Sequence, residues 1–125
     1  MNTTSSILSI ISLKNQREFD EVNAAGQKIH GKFFIAIRSK QSLPHQQCVY
    51  LGLKVSRKMG NAVKRNKIKR WFREIIRKLA HEDPKYLGLS FILIPKKSIA
   101  STNFQALLED FKNKYSYDPD YDLIG

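Results

Sequence analysis

The feature that most constrains the fold is a periodic stretch from residue 62 to residue 80, which lies between two strand-like patterns. At about 100° per residue, its large apolar residues fall on one continuous helical face. That face comprises Ile68, Trp71, Phe72, Ile75, Ile76 and Leu79. An apolar stripe of this length must pack against another element, so the sequence predicts a helix over 62–80 with one buried side. Trp71 is therefore interpreted as a packed aromatic residue and not as a platform on which bases stack.

Helix and strand patterns occupy the rest of the chain. A short helix is predicted to begin at Asn15, which caps it with Glu18 three residues later, and to end at Gly26. Apolar alternation or continuous apolar runs predict strands on either side of Gly31 within 27–40, over 48–56 and over 89–95, and a last amphipathic helix over 101–114. The order α-β-β-β-α-β-α predicts an α/β fold with about four strands and three helices. The helix over 62–80 would then connect two strands that lie side by side and parallel.

The length of 125 residues is most simply that of one domain. The Ser- and Thr-rich residues 1–12 are predicted to be a flexible N-terminal leader segment, residues 13–114 the folded domain, and residues 115–125 a disordered tail. The first residues lack the basic region of a signal peptide, and no window approaches the roughly 18 apolar residues of a membrane span. The single cysteine, Cys48, excludes an intrachain disulfide. These features predict a cytoplasmic protein.

The charge distribution points to a polyanionic partner. The formal net charge is +11, and eleven Lys or Arg residues but one acid, Glu74, lie between Lys54 and Lys78. A purely structural surface helix would interleave acids four residues away to form ion pairs. Glu74 is interpreted as an ion-pair partner of Arg70 or Lys78. The solvent-facing stripe comprises Asn66, Arg70, Arg73 and Arg77, flanked by Lys67, Lys69 and Lys78. Nucleic acid is favoured over a membrane, because the fold needs the apolar face that lipid would require.

The stretch "VSRKMGNAV" joins a strand to this helix through Gly60 and Asn61. Backbone N–H groups at such a turn, flanked by Arg57 and Lys58, favour an anion site. An ordinary capped turn explains the same residues equally well, and the sequence leaves both interpretations open.

The stretch "GLKVSRKMGNAVKRNKIKRWFRE" resembles the signature of the bacterial ribonuclease P protein subunit. That family carries a GLSVSKK-like strand, a GNAV-like turn and an R-N-R-x-K-R-x-x-R helix. The residues in register are Gly52, Val55, Ser56, Lys58, Gly60, Ala62, Val63, Arg65, Asn66, Ile68, Lys69, Arg70, Arg73 and Glu74. The likeness extends to the first helix, the last strand and the final helix, so it covers most of the chain.

The resemblance implies a fold and a function. The fold is a two-layer α/β sandwich with a left-handed βαβ crossover around the basic helix, against the general right-handed rule. The function is that of a protein which binds the catalytic RNA of ribonuclease P, one protein per RNA. Such a protein assists endonucleolytic removal of the 5′ leader from precursor tRNA. In the family, Mg²⁺ held by the RNA performs the hydrolysis, so no catalytic residue, metal site or protein-bound cofactor is expected in this chain.

The resemblance also assigns residues. Motif positions place RNA contacts at Lys58, Arg65, Asn66, Lys67, Lys69, Arg70 and Arg73. The turn and the basic stripe add Arg57, Gly60, Asn61, Lys64 and Arg77 to the predicted RNA-binding set. The family's cleft for the 5′ leader corresponds to Phe19, Asn23, Ile35 and Ile37. Lys67 replaces an Arg and loses its bidentate geometry, and Asn23 and Ile37 replace common aromatics, which predicts weaker base stacking. Core packing remains an equal interpretation of Phe19.

Two other classes of protein compete with this assignment. A structural RNA-binding protein of ribosomal type would carry similar charge, and only the strand, turn and helix motif in register favours ribonuclease P. A stand-alone protein nuclease would need an acidic metal site. The sequence shows none, because His30, His45 and His81 lie in separate segments without carboxylates or Cys at metal spacing.

Overall fold

The structure is a computed structural model that describes residues 9–40, 48–83 and 86–116. Its strands are β1 (Ser9–Ser12), β2 (Gln27–His30), β3 (Phe34–Lys40), β4 (Cys48–Leu53) and β5 (Leu89–Pro95). Its helices are α1 (Gln16–Ala25), α2 (Ala62–Glu82) and α3 (Phe104–Ser116), and short 3₁₀ turns cover Arg57–Met59 and Lys97–Ser101. The predicted α/β class with three helices is confirmed, and the described residues form a sheet of five strands, one more than predicted.

The sheet is mixed, with the strand order β1-β4-β5-β3-β2. Strand β4 is parallel to both β1 and β5, whereas β3 runs antiparallel to β5 and to β2. Helix α2 joins β4 to its neighbour β5, which confirms the predicted parallel pair. This is the crossover whose left-handed path the family resemblance implies.

Strand β1 corrects the predicted N-terminal segment. Residues 9–12 were expected to be flexible, but they pair with β4 in a register that runs from Ser9 opposite Cys48 to Ser12 opposite Leu51. Backbone pairing with β4 fixes this edge strand in the sheet. Ile10 is the β1 residue that packs against the main core. A strand with a single inward apolar residue shows no alternation that a sequence pattern can reveal. The rest of that segment, residues 1–8, and most of the predicted tail, residues 117–125, lie outside the described residues.

The main core lies between the sheet and helices α2 and α3. The apolar stripe predicted for α2 is confirmed, since Ile68, Phe72, Ile75, Ile76 and Leu79 are at most 6% exposed. Trp71 is half-buried at the margin of this core, with its ring edge-on to that of Phe104 at 6.3 Å. The predicted role of Trp71 as a packing residue is therefore confirmed.

Helix α1 covers the opposite face of the sheet. Val22 of α1 packs against Ile37 and Ile92 in a smaller cluster, and half-buried Leu13, Phe19 and Ile94 surround it. The predicted cap is present, because the Asn15 Oδ1 accepts a hydrogen bond from the Glu18 N–H at 3.0 Å. The two-layer arrangement that the resemblance implies therefore describes the main core, and α1 adds a short helix on the second face.

Candidate RNA-binding surface

The turn that leads into α2 has a conformation that only glycine adopts readily. Gly60 has φ 123° and ψ −167°, and its N–H donates to the carbonyl oxygen of Arg57 at 3.2 Å. Asn61 then caps α2, because its Oδ1 accepts a hydrogen bond from the N–H of Lys64 at 3.0 Å. The capped-turn interpretation of this stretch is thus confirmed.

The same turn keeps the features of an anion site. Within the described parts of the chain, the N–H groups of Ala62 and Val63 at the start of α2 have no hydrogen-bond acceptor. Arg57 and Lys58 lie just before the turn and are exposed. The positive end of a helix of 21 residues therefore opens onto a surface that is already cationic.

The predicted basic stripe occupies the solvent side of α2. Asn66, Arg70, Arg73 and Arg77 of the stripe are exposed, as are the flanking Lys67 and Lys78, whereas the flanking Lys69 is half-buried. In the first turn of α2, Lys64 is exposed and Arg65 is half-buried. The Nζ of Lys67 lies 4.9 Å from the centre of the Trp71 ring, so the ammonium group is held over the face of that ring. The structure therefore exposes six of the eight α2 members of the predicted RNA-binding set and leaves Arg65 and Lys69 half-buried.

The acids that pair with cations of this helix, among the described residues, lie in its second half. The predicted pair between Arg70 and Glu74 is present at 3.8 Å, between two largely exposed side chains. Lys78 instead pairs with Glu82, which also lies 3.6 Å from Lys112 of α3. Among the residues that the structure describes, no carboxylate pairs with Lys64, Arg65, Lys67, Lys69, Arg73 or Arg77. The first four turns of α2 thus carry an excess of positive charge that the protein itself does not neutralise.

The predicted cleft residues lie on the other face of the sheet, around α1. Phe19 packs close to β4, where a Cβ on Gly52 would come within 2.5 Å of its ring. Asn23 lies one turn further along α1 and is exposed. Ile37 is only 5% exposed because it packs beneath α1. It therefore supports the cleft from below and contributes little accessible surface.

Ile94 and Lys54 extend this cleft beyond the four residues that the family resemblance implied. Ile35 pairs in register with Ile94 of β5, and both are half-buried on the same face as Ile37. The Nζ of Lys54 lies 5.5 Å from the centre of the Phe19 ring. Strand alternation in the sequence already placed Lys54 on the face of the sheet opposite Leu53. No sequence spacing, however, relates Lys54 to helix α1. The cleft beside α1 is thus an apolar surface with a cation at one end.

The described residues contain no group of three His, Cys, Asp or Glu side chains arranged to hold a metal ion. No helix among them has both the length and the apolar character required to cross a membrane.

Comparison with known proteins decides the family. The sequence model of the family described as Ribonuclease P matches residues 10–116. The ribonuclease P protein component of Rickettsia canadensis is 39% identical over 112 residues, covering 85% of this chain and 95% of the relative. That of Rickettsia felis is 41% identical over 106 residues, covering 80% and 90%. The chain belongs to the ribonuclease P protein family.

Solved structures agree with this membership in the ribonuclease P family. The ribonuclease P protein of Thermotoga maritima has 29% sequence identity and a TM-score of 0.67, over 82% of this chain and 92% of that one. The ribonuclease P protein of Staphylococcus aureus has 24% identity and a TM-score of 0.70, over 84% and 92%, a likeness that shows the fold. The predicted function, a protein subunit of ribonuclease P, is confirmed, and the ribosomal-type alternative is not favoured.

Proposed function

We propose that the exposed side of α2 and the turn before it bind the RNA subunit of ribonuclease P, and that the cleft beside α1 binds the 5′ leader of precursor tRNA. In this arrangement one protein joins one RNA in the cytoplasm, and the holoenzyme removes the 5′ leader by endonucleolytic cleavage. The observation that carries the proposal is the basic stripe of α2, in which Arg73 and Arg77 and the flanking Lys67 and Lys69 have no acidic partner among the described residues.

The unpaired charge is what RNA binding requires. Several cations on one helix repel each other, and acids four residues away would relieve that repulsion within the protein. Arg73 and Arg77 have no such acid among the described residues, so phosphate groups can take that place. Each phosphate that the stripe neutralises would release condensed counterions into the solvent and favour association at low salt.

Contacts with the rest of the fold hold two cationic side chains of α2 in place. The Nε of Arg65 donates to the carbonyl oxygen of Gly60, and Lys67 lies over Trp71. Because these side chains are held by the fold, less conformational entropy is lost when they meet phosphate. The stripe therefore favours recognition of a structured RNA backbone more than recognition of base edges.

The cleft has a different chemistry, which suits single-stranded RNA. Phe19, Ile35 and Ile94 offer apolar surface to bases, and Lys54 offers a cation to the phosphate chain. Asn23 supplies an exposed amide where an aromatic ring would stack more strongly. The cleft is therefore expected to bind a single-stranded leader with modest preference for base identity.

The chemistry of cleavage is assigned to the RNA. The described residues do not fit a protein-held Mg²⁺ site, because they lack a cluster of carboxylate, imidazole or thiol ligands. We therefore expect the metal ions to be held by the RNA subunit and the protein to position the substrate.

Reconstitution tests the proposal. The purified protein is mixed with precursor tRNA and Mg²⁺, with and without the ribonuclease P RNA of the same organism. The expected result is release of the 5′ leader only when the RNA subunit is present, with tighter substrate binding when the protein is added. Mg²⁺-dependent cleavage by the protein alone would overturn the assignment of catalysis to the RNA.

A further inference from the structure

A group of acidic residues with no cation among them lies directly after α3. Residues 117–125, here called the acidic tail, contain Asp118, Asp120 and Asp122 and no Lys or Arg. The acidic tail follows Ser116, the last residue of α3, and lies outside the described residues. Three negative charges in a protein with a net charge of +11 are complementary to the cations that the described structure leaves without acidic partners.

The end of α3 lies close to the basic stripe of α2. The Nζ of Lys112 in α3 is 3.6 Å from a carboxylate oxygen of Glu82, so the C-terminal turns of the two helices are adjacent. Arg77 and Arg73 precede Glu82 by five and nine residues, which is about 7.5 and 13.5 Å along the helix axis. Because an extended segment of nine residues spans up to about 30 Å, the acidic tail is long enough to reach both arginines.

The spacing of the aspartates suits the spacing of these two cations. Alternate side chains of an extended segment point to the same side and lie about 6.6 Å apart, so the three aspartates would share one side of it. Pro119 favours an extended conformation, since its ring fixes φ and disfavours a helical residue before it. Arg73 and Arg77 are both exposed and are separated by a rise of about 6 Å along α2. Two neighbouring aspartates can therefore meet the two guanidinium groups at once.

The acids of α2 itself do not neutralise these two arginines. Arg73 and Arg77 have no acidic partner among the described residues, whereas the nearby cations Arg70 and Lys78 each have one. The acidic partners of Arg73 and Arg77 in the free protein must therefore come from another segment, and the acidic tail is the segment whose charge and reach fit.

We propose that the acidic tail binds Arg73 and Arg77 in the free protein and is displaced when the RNA subunit binds. The inference rests on the proposed function, because it takes the basic stripe as the RNA-binding surface. Covalent attachment gives the tail an effective concentration of the order of millimolar, so individually weak ion pairs can hold it on the stripe at low salt. The tail thus acts as an internal competitor, which lowers the affinity for every polyanion that needs these two arginines.

Two full-length triple variants test this contact. The tail variant carries Asp118→Asn, Asp120→Asn and Asp122→Asn. The control variant carries Asp20→Asn, Glu21→Gln and Glu109→Gln, at exposed positions on α1 and α3. Both variants raise the net charge by the same amount and keep the shapes of the substituted side chains. An effect of net charge alone is therefore shared by the two variants.

The first measurement needs no RNA. The side-chain Nε–H signals of Arg73 and Arg77 are recorded by NMR at low salt and at two protein concentrations. The tail variant should shift both signals from their wild-type positions, equally at the two concentrations, and the control variant should not. Wild-type positions in the tail variant would overturn the proposal. Shifts that depend on protein concentration would also overturn it, because the tail would then bind a second copy of the chain.

The second measurement is the affinity for the ribonuclease P RNA over a range of salt concentrations. The tail variant should bind about fivefold more tightly than the control variant at low salt, the effect expected of two exposed ion pairs. This difference should shrink as salt is added, since salt screens the contact between tail and stripe. Equal affinities of the two variants at low salt would overturn the proposal.

The two measurements separate this proposal from the proposed function. The NMR comparison uses no RNA, so it stays interpretable if the basic stripe does not bind the RNA subunit. Absence of the tail contact, in turn, leaves the cleavage and salt-dependence tests of the proposed function intact.

Discussion

The Nε of Arg65 donates a hydrogen bond to the carbonyl oxygen of Gly60 at 3.2 Å. A side chain from the first turn of α2 thereby closes the turn that precedes the helix. Among the described residues, no acceptor contacts the two terminal nitrogens of the same guanidinium group, so its planar fork can still donate to phosphate oxygens. Arg65 thus links the shape of the turn to the charge of the surface.

Arg65→Lys should therefore weaken binding to the RNA subunit more than Arg73→Lys does. A lysine keeps the charge at either position but has no planar donor fork with which to contact Gly60 and phosphate together. The expected difference is about 1 kcal/mol, the net worth of one hydrogen bond, or roughly fivefold in affinity. Filter binding of both variants at one salt concentration measures it. Equal affinities would show that the Arg65 contact does not matter for binding.

Asn61→Asp should separate stability from RNA binding. Aspartate caps a helix as well as asparagine does, and its charge is favourable at a helix N-terminus, so the free energy of unfolding should hold or rise by about 0.5 kcal/mol. The same charge should repel phosphate at the turn and weaken affinity for the RNA subunit several-fold.

Asn15→Asp is the matched control for this change, because Asn15 caps α1 in the same way. It should leave affinity for the RNA subunit unchanged. If Asn61→Asp bound the RNA subunit as tightly as the wild type, the turn before α2 would not be an anion site.

Gly52→Ala should impair binding of the 5′ leader. A Cβ at this position would lie 2.5 and 2.7 Å from ring carbons of Phe19 and 2.8 Å from a methyl carbon of Leu13, so the Phe19 ring must shift from its position in the cleft. The affinity of the holoenzyme for precursor tRNA should fall, whereas its affinity for mature tRNA, which lacks the leader, should hold. An equal loss for both RNAs would argue that Phe19 serves core packing alone.

Asp110→Ala should destabilise the fold without changing the binding surface. Asp110 is 5% exposed, and its Oδ2 accepts hydrogen bonds from the N–H groups of Lys32 and Phe33 at 2.7 and 3.1 Å. This carboxylate of α3 fixes the turn between β2 and β3, and its removal should cost about 2–3 kcal/mol in the free energy of unfolding. Urea denaturation measures the loss. Glu109→Ala, at an exposed neighbouring position, is the control and should change stability by less than about 0.5 kcal/mol.

Helix α2 was predictable because every level of its sequence agrees. The apolar period fixes the face that Phe72 and Ile75 bury, and the residues left over must face solvent. Asn61 at the start of the period marks the cap, which the structure contains. Local periodicity is thus sufficient to place the basic stripe on the surface.

The cleft was less predictable, because it depends on contacts between distant segments. No spacing relates Phe19 to Gly52, and the sequence therefore left the role of Phe19 open between core packing and leader binding. The structure places its ring on Gly52 and beside Lys54, at the margin of the cleft. Strand β1 was not predicted for a related reason. It is fixed by backbone pairing with β4, and its own sequence has no apolar alternation that would indicate a strand.

The salt dependence of binding to the ribonuclease P RNA tests the central claim most directly, namely that the unpaired cations of α2 meet phosphate. Arg73→Ala combined with Arg77→Ala removes two exposed charges from the stripe. Arg17→Ala combined with Lys114→Ala removes two exposed charges from α1 and α3. It therefore lowers the net charge of the protein by the same amount as the first double variant. The slope of log affinity against log salt should become shallower by about 1.5 for the first pair, close to the value for two lost phosphate contacts, and stay near the wild-type slope for the second. Equal slopes for the two double variants would contradict the claim.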